Sequence, residues 1–196
     1  MFSSLKETIQ RANNDGIQYL LTISTIDESF KNILEIVKNH SSVYGTYGIH
    51  PHEAKKHQKI KSKHIIERIK MNKKIIGIGE TGLDFYYNHS EKKDQISSFL
   101  EHIDASQKLS LPIIVHTRSA ESETFKILKE ATVKKNLKIL IHCFTGTKEF
   151  AFKLLDIGAY ISASGVVTFK KSKDLAQTFK AIPENRILVE TDSPYL

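Results

Sequence analysis

Short apolar runs rich in β-branched residues alternate along the chain with longer segments whose apolar residues recur three and four positions apart. The short runs are Ile17–Ser24, Val43–Ile49, Lys74–Gly79, Leu111–His116, Leu137–Cys143, Ala159–Ser164 and Arg186–Glu190. Each has the length and composition of a buried parallel strand. Between them, spacings such as Phe30, Ile33, Leu34 and Val37, or Phe125, Ile127, Leu128 and Ala131, predict amphipathic helices. Gly16 and Gly158 follow helical segments at positions where helix caps are expected.

Strands alternating with helices imply right-handed βαβ units and a parallel sheet. The order is a helix, six βα units and a bare strand. It fits an α/β fold of the TIM type, a (β/α)8 barrel without its first strand and last helix, because a complete barrel has eight strands and about 250 residues. No linker, repeat or low-complexity stretch divides the 196 residues, so one incomplete domain over 1–196 is expected.

Polar residues gather at the C-terminal ends of these strands, where barrel enzymes place their sites. They are His50 with His52, Glu80 with Asp84, His116 with Arg118, His142, and Asp192. A single histidine at a strand end is more often structural than a ligand. Chance would scatter such residues over both ends, and here they share one. Mixed nitrogen and oxygen donors suit Zn²⁺, Mn²⁺ or Mg²⁺.

Five segments then resemble motifs of the TatD family of metal-dependent hydrolases. They are Tyr47–Ala54, Ile78–Asp84, Val115–Arg118, His142–Gly146 and Val189–Leu196, in family order. The resemblance implies a deoxyribonuclease-like enzyme that cleaves DNA phosphodiester bonds through a metal-activated water. It implies two divalent ions, Mg²⁺, Mn²⁺ or Zn²⁺. Glu80 would bridge them, and His116 and His142 would complete one shell. Asp192 would bind the other ion or its water and act as the base. His50 would line the pocket, and Arg118 would meet a substrate phosphate as a bidentate donor.

The family's first strand ends in a His-x-His pair that holds the first ion. His50-Pro51-His52 has that local form but matches a separate family segment, Gly-x-His-Pro-His. The expectation is therefore a chain truncated at both ends, retaining one ion site, with two exposed sheet edges. The alternative reading is a catalytically inactive barrel fragment with residual metal or nucleic-acid binding. Barrel hydrolases that bridge their metals through a carboxylated lysine fit less well, since Glu80 stands at the corresponding place.

Neighbouring residues have plainer readings. Asp84 is expected to order the loop after Glu80, and Cys143 to be a small buried strand residue. Tyr86 and Tyr87 could stack a base or merely pack. Thr145-Gly146 could form an anion-binding nest or a turn into the next helix. His40, His57, His64, His89 and His102 are given no role.

The net charge of +7 and pI of about 9.3 permit a polyanionic partner such as DNA, though dispersed lysines also suit an ordinary solvated surface. One cysteine excludes an intrachain disulfide framework. The first residues lack a signal-peptide pattern, and no apolar run approaches the roughly 18 residues of a membrane span. A cytoplasmic protein with no membrane association and no obligate protein partner is expected.

Overall fold

The computed structural model describes residues 4–87 and 89–194. Helix α1 (Leu5–Asn14) opens with a reciprocal cap in which Ser4 Oγ accepts from Glu7 N and Ser4 N donates to Glu7 Oε2. Strands β1 (Leu20–Thr22), β2 (Val43–Tyr47), β3 (Ile75–Asp84), β4 (Ile113–Arg118), β5 (Ile139–Ile141), β6 (Tyr160–Ala163) and β7 (Ile187–Val189) follow. Helices α2 (Phe30–Asn39), α3 (Ser62–Lys70), α4 (Lys92–Leu109), α5 (Glu121–Lys134), α6 (Lys148–Asp156) and α7 (Lys173–Ala181) alternate with them. All seven strands pair in parallel, in sequence order. This is the TIM-like α/β sheet expected from the pattern, with Gly16 and Gly158 at φ of +86° and +83° after their helices.

The sheet's apolar faces bury two clusters. One packs Leu83, Phe99, Ile113, Val115, Leu128 and Ile161 beneath β3–β7; the other packs Ile33, Val37, Tyr47, Ile65 and Ile78 beneath β1–β3. At about 25 cal/mol per Å² of apolar surface, each fully buried side chain of this size contributes roughly 1.5–3 kcal/mol. The outer strands keep Leu21 on β1 and Leu188 and Val189 on β7 exposed. Among the described residues no helix is long and apolar enough to cross a membrane.

Strand β3 runs five residues beyond the Gly79 at which its apolar pattern stops. The pairing with β4 slips between Ile78 and Thr81, and regular register then resumes from Thr81↔Val115 to Asp84↔Arg118. Gly79 has φ +136° and Gly82 has φ +137°. A Cβ at Gly82 would collide with the His116 carbonyl, so only glycine lets the strands approach there. The slip frees Glu80 N from the ladder, and it donates to Ser24 O at 2.8 Å.

Two buried residues of α4 hold the strand ends that matter. Gln95 accepts from Asp84 N at 2.8 Å and donates to Asp84 O and Ser90 O, both at 2.9 Å. His102, fully buried, accepts from Ile49 N through Nε2 at 3.1 Å and donates from Nδ1 to Ser98 O at 2.7 Å. It gives the chain just before His50 a fixed anchor, a role the sequence alone did not assign it.

Burial pushes the His102 imidazole down from 6.5 to about 4. The unfolded chain therefore takes up this proton first. The contribution of neutral His102 is complete above pH ~6.5 and is withdrawn as pH falls towards ~4, by up to roughly 3 kcal/mol. Urea unfolding should show a steeper loss of stability over that window in the wild type than in His102→Gln, which keeps an acceptor but does not titrate. Parallel pH profiles for the two proteins would refute this.

Candidate metal centre

Three imidazoles converge on one buried carboxylate oxygen at the C-terminal mouth of the sheet. Glu80 Oε1 lies 3.1 Å from His116 Nδ1, 3.2 Å from His142 Nε2 and 3.4 Å from His50 Nε2. β3 supplies Glu80 and β4 supplies His116. His50 follows β2 at the start of the turn Pro51–Glu53, and His142 follows β5. Asp192 lies beyond β7, with Oδ1 3.9 Å from His142 Nε2. Five of the six residues to which the family resemblance gives roles thus meet in one place. The sixth, Arg118, ends β4 exposed at the rim.

The far side of each ring shows what it can offer. His116 Nε2 faces Asp84 Oδ2 at 3.2 Å, and His142 Nδ1 faces Glu190 Oε2 at 2.9 Å. A carboxylate can only accept, so these nitrogens carry hydrogen. Once the other nitrogen gives up its proton, its lone pair points towards Glu80. This is the carboxylate–histidine pairing that orients metal-binding imidazoles. His50 is built the other way. Its Nδ1 accepts from His52 N at 3.2 Å, so its hydrogen sits on Nε2 and points at Glu80.

His50, Glu80 and His116 do bring ligand atoms within 4.8 Å of one another. The hydrogen-bond pattern turns a donor nitrogen of His50 towards Glu80, whereas His116 and His142 each turn towards Glu80 the nitrogen opposite their carboxylate partner. One carboxylate and two anchored imidazoles suit a divalent ion. Glu190 Oε1, buried without a hydrogen-bond partner among the described residues, is a further lone pair beside these groups.

The charges are strongly coupled. Burial works against a charged Glu80, but His116, His142 and His50 outweigh it and hold the carboxyl well below its ordinary range. Burial likewise opposes the imidazolium of His142, yet Glu190 and Glu80 push it up to about 10. His116 is raised against burial by Asp84 and Glu80. Asp192 is pushed up by burial and by the negative charges of Glu80 and Glu190, against a pull from His142. Four carboxylates in this space call for positive charge, supplied by ring protons or by a metal ion.

Other expectations resolve differently. Asp84 does order its loop, with Oδ1 accepting from Tyr86 N at 3.0 Å and Tyr87 N at 2.9 Å. Its Oδ2 also holds His116 and, at 2.9 Å, His52. His50 and His52 therefore serve different carboxylates and do not act as a His-x-His clamp on one ion. Cys143 is not a strand residue: β5 ends at Ile141, and Cys143 is half-buried with φ +44° and Sγ 3.2 Å from Ser164 Oγ. Thr145-Gly146 lies between β5 and α6, whose cap is Thr147. Tyr195 and Leu196 of the last motif lie outside the described residues. Glu190 was missed, although its spacing two before Asp192 at a strand end places alternate side chains on one face.

A parallel α/β barrel sheet with a carboxylate and anchored imidazoles at its mouth is the build of a metal-dependent hydrolase. The chain belongs to the TatD family: residues 2–196 match the family model described as TatD related DNase. It is 41% identical over 198 residues to a metal-dependent hydrolase of Buchnera aphidicola, covering 98% of this chain and 75% of that protein. It is 31% identical over 191 residues to the 3'-5' ssDNA/RNA exonuclease TatD of Escherichia coli, covering 97% and 73%. The solved structure of the TatD homologue YjjV of Escherichia coli shares the fold, with a TM-score of 0.89, 23% identity and coverage of 96% and 73%.

Removing the carboxylates behind the rings should loosen metal binding. Asp84→Asn and Glu190→Gln should each weaken divalent-ion affinity by about 10- to 100-fold in isothermal titration calorimetry. Affinities equal to wild type would show that these residues do not orient His116 and His142.

Proposed function

We propose that this hydrolase cleaves DNA phosphodiester bonds with the help of divalent ions, Mg²⁺, Mn²⁺ or Zn²⁺. The observation that carries the reading is Glu80 Oε1 set against His116 Nδ1 and His142 Nε2 at 3.1 and 3.2 Å, each ring backed by a second carboxylate. Glu80, His116 and His142 would hold one ion; for a second, Glu80 and Asp192 would supply two ligands and water the rest of the shell. Such ions lower the pKa of water and offset charge on a phosphate under attack.

The remaining work falls to the chain. Asp192, partly open to solvent beside His142, takes the proton of the attacking water at its carboxylate. The water oxygen bonds to phosphorus as the bond to the departing sugar oxygen breaks, and the proton on Asp192 is then available to that oxygen. His50 Nε2–H donates into the pocket. Arg118 has no acidic partner among the described residues, so its planar fork can meet two oxygens of one phosphate. Similarity to the 3'-5' ssDNA/RNA exonuclease of Escherichia coli and the net charge of +7 both support a nucleic-acid substrate.

Incubation of the purified chain with single- and double-stranded DNA should give degradation with Mg²⁺ or Mn²⁺ and none in EDTA. Glu80→Ala should lower the rate by about 10³-fold or more, and Asp192→Asn by about 10²- to 10⁴-fold. A sample folded by circular dichroism that leaves both DNAs intact with either ion would sink this reading.

A further inference from the structure

The segment after β3 builds a surface that the hydrolytic chemistry above does not use. Tyr86 is 60% exposed and Tyr87 40%, though both rings stand beside the metal centre. They meet edge to face with centroids 4.8 Å apart. The Arg118 guanidinium lies over both, with Cζ 4.2 Å from the Tyr86 centroid and 4.9 Å from that of Tyr87. Tyr87 is braced in turn by His52, edge-on at 5.4 Å, and by His89, stacked at 5.6 Å.

Asp84 Oδ1 accepts from the backbone N–H of both tyrosines, while Asp84 Oδ2 faces His116. One buried carboxylate therefore ties the aromatic pair to the metal centre. The result is a pair of exposed rings carrying a cation that lacks an anionic partner among the described residues, held at a set place relative to Glu80. An aromatic face and a phosphate-seeking fork side by side match the two parts of a nucleotide.

We propose that Tyr86, Tyr87 and Arg118 form a nucleobase-stacking subsite for single-stranded nucleic acid, with the base on Tyr86 and its phosphate on Arg118. This deepens the phosphodiesterase reading and rests on it for the identity of the occupant. A base offers its face to such a platform only when unpaired, so the subsite selects single strands over duplex. Stacking accepts any base, so it confers little sequence preference.

The test compares two fluorescent oligomers of equal length and charge, an oligothymidylate and one whose sugars carry no bases. Binding of the full chain is followed by fluorescence anisotropy in EDTA, so that neither probe is cleaved. The wild type should prefer the base-bearing probe by roughly 5- to 100-fold. Tyr86→Ala should bring the ratio close to one, Tyr86→Phe should preserve it, and Arg118→Gln should weaken both probes.

Equal binding of the two probes by wild type, or an undiminished preference in Tyr86→Ala, would overturn the proposal. If Tyr86→Ala does not fold, Tyr86→Leu keeps the bulk without the π face and carries the same expectation. The outcome is separable from that of the cleavage assay. A Tyr86-dependent base preference in a chain that cuts no DNA would leave the subsite standing and remove the nuclease reading; cleavage without the preference would do the reverse.

Discussion

A carboxylate that is 7% exposed cannot remain charged without compensation, and the mouth of this barrel is organised around that requirement at Glu80. Its Oε1 faces three imidazoles contributed from the ends of β2, β4 and β5. Two of those rings are gripped from behind by Asp84 and Glu190. Each added carboxylate raises the demand for positive charge again. The arrangement is self-consistent only with protons on the rings or cations among them, and that is what suits it to divalent ions.

The scaffold serves this cluster in ways that have little to do with sheet stability. The slip in β3 takes Glu80 out of the ladder with β4, and Gly82 lets β3 pass close to His116. Gln95 clamps the strand end at Asp84, while His102 anchors the chain leading to His50. Both residues are polar, belong to the same helix, and are buried against backbone groups that would otherwise go unpaired. Helix α4 thereby fixes two of the strand ends that bear on Glu80.

Asp84 links chemistry to recognition. Its two oxygens divide between histidine rings on one side and the amides of Tyr86 and Tyr87 on the other. A single side chain therefore sets both the orientation of His116 and the position of the aromatic pair under Arg118. Family membership establishes a metal-dependent hydrolase, and this local geometry supplies the specific account of how such an enzyme could seat a nucleotide.

The sequence by itself determined the seven parallel strands, the helices between them, and the end of the sheet at which His50, Glu80, His116, His142 and Asp192 collect. Those features follow from apolar periodicity and from motifs contiguous in the chain, so local information suffices. It also marked Arg118, Tyr86 and Tyr87 as candidates while leaving packing open for the tyrosines. The pairing of ring nitrogens with acceptors was decided only by tertiary structure. Whether His50 donates or ligates depends on a backbone N–H two residues away, and the contacts of His116 and His142 depend on carboxylates 32 and 48 residues distant. His102 and Gln95 were invisible for the same reason: on a helix they are ordinary polar residues until folding buries them against the strand ends they hold.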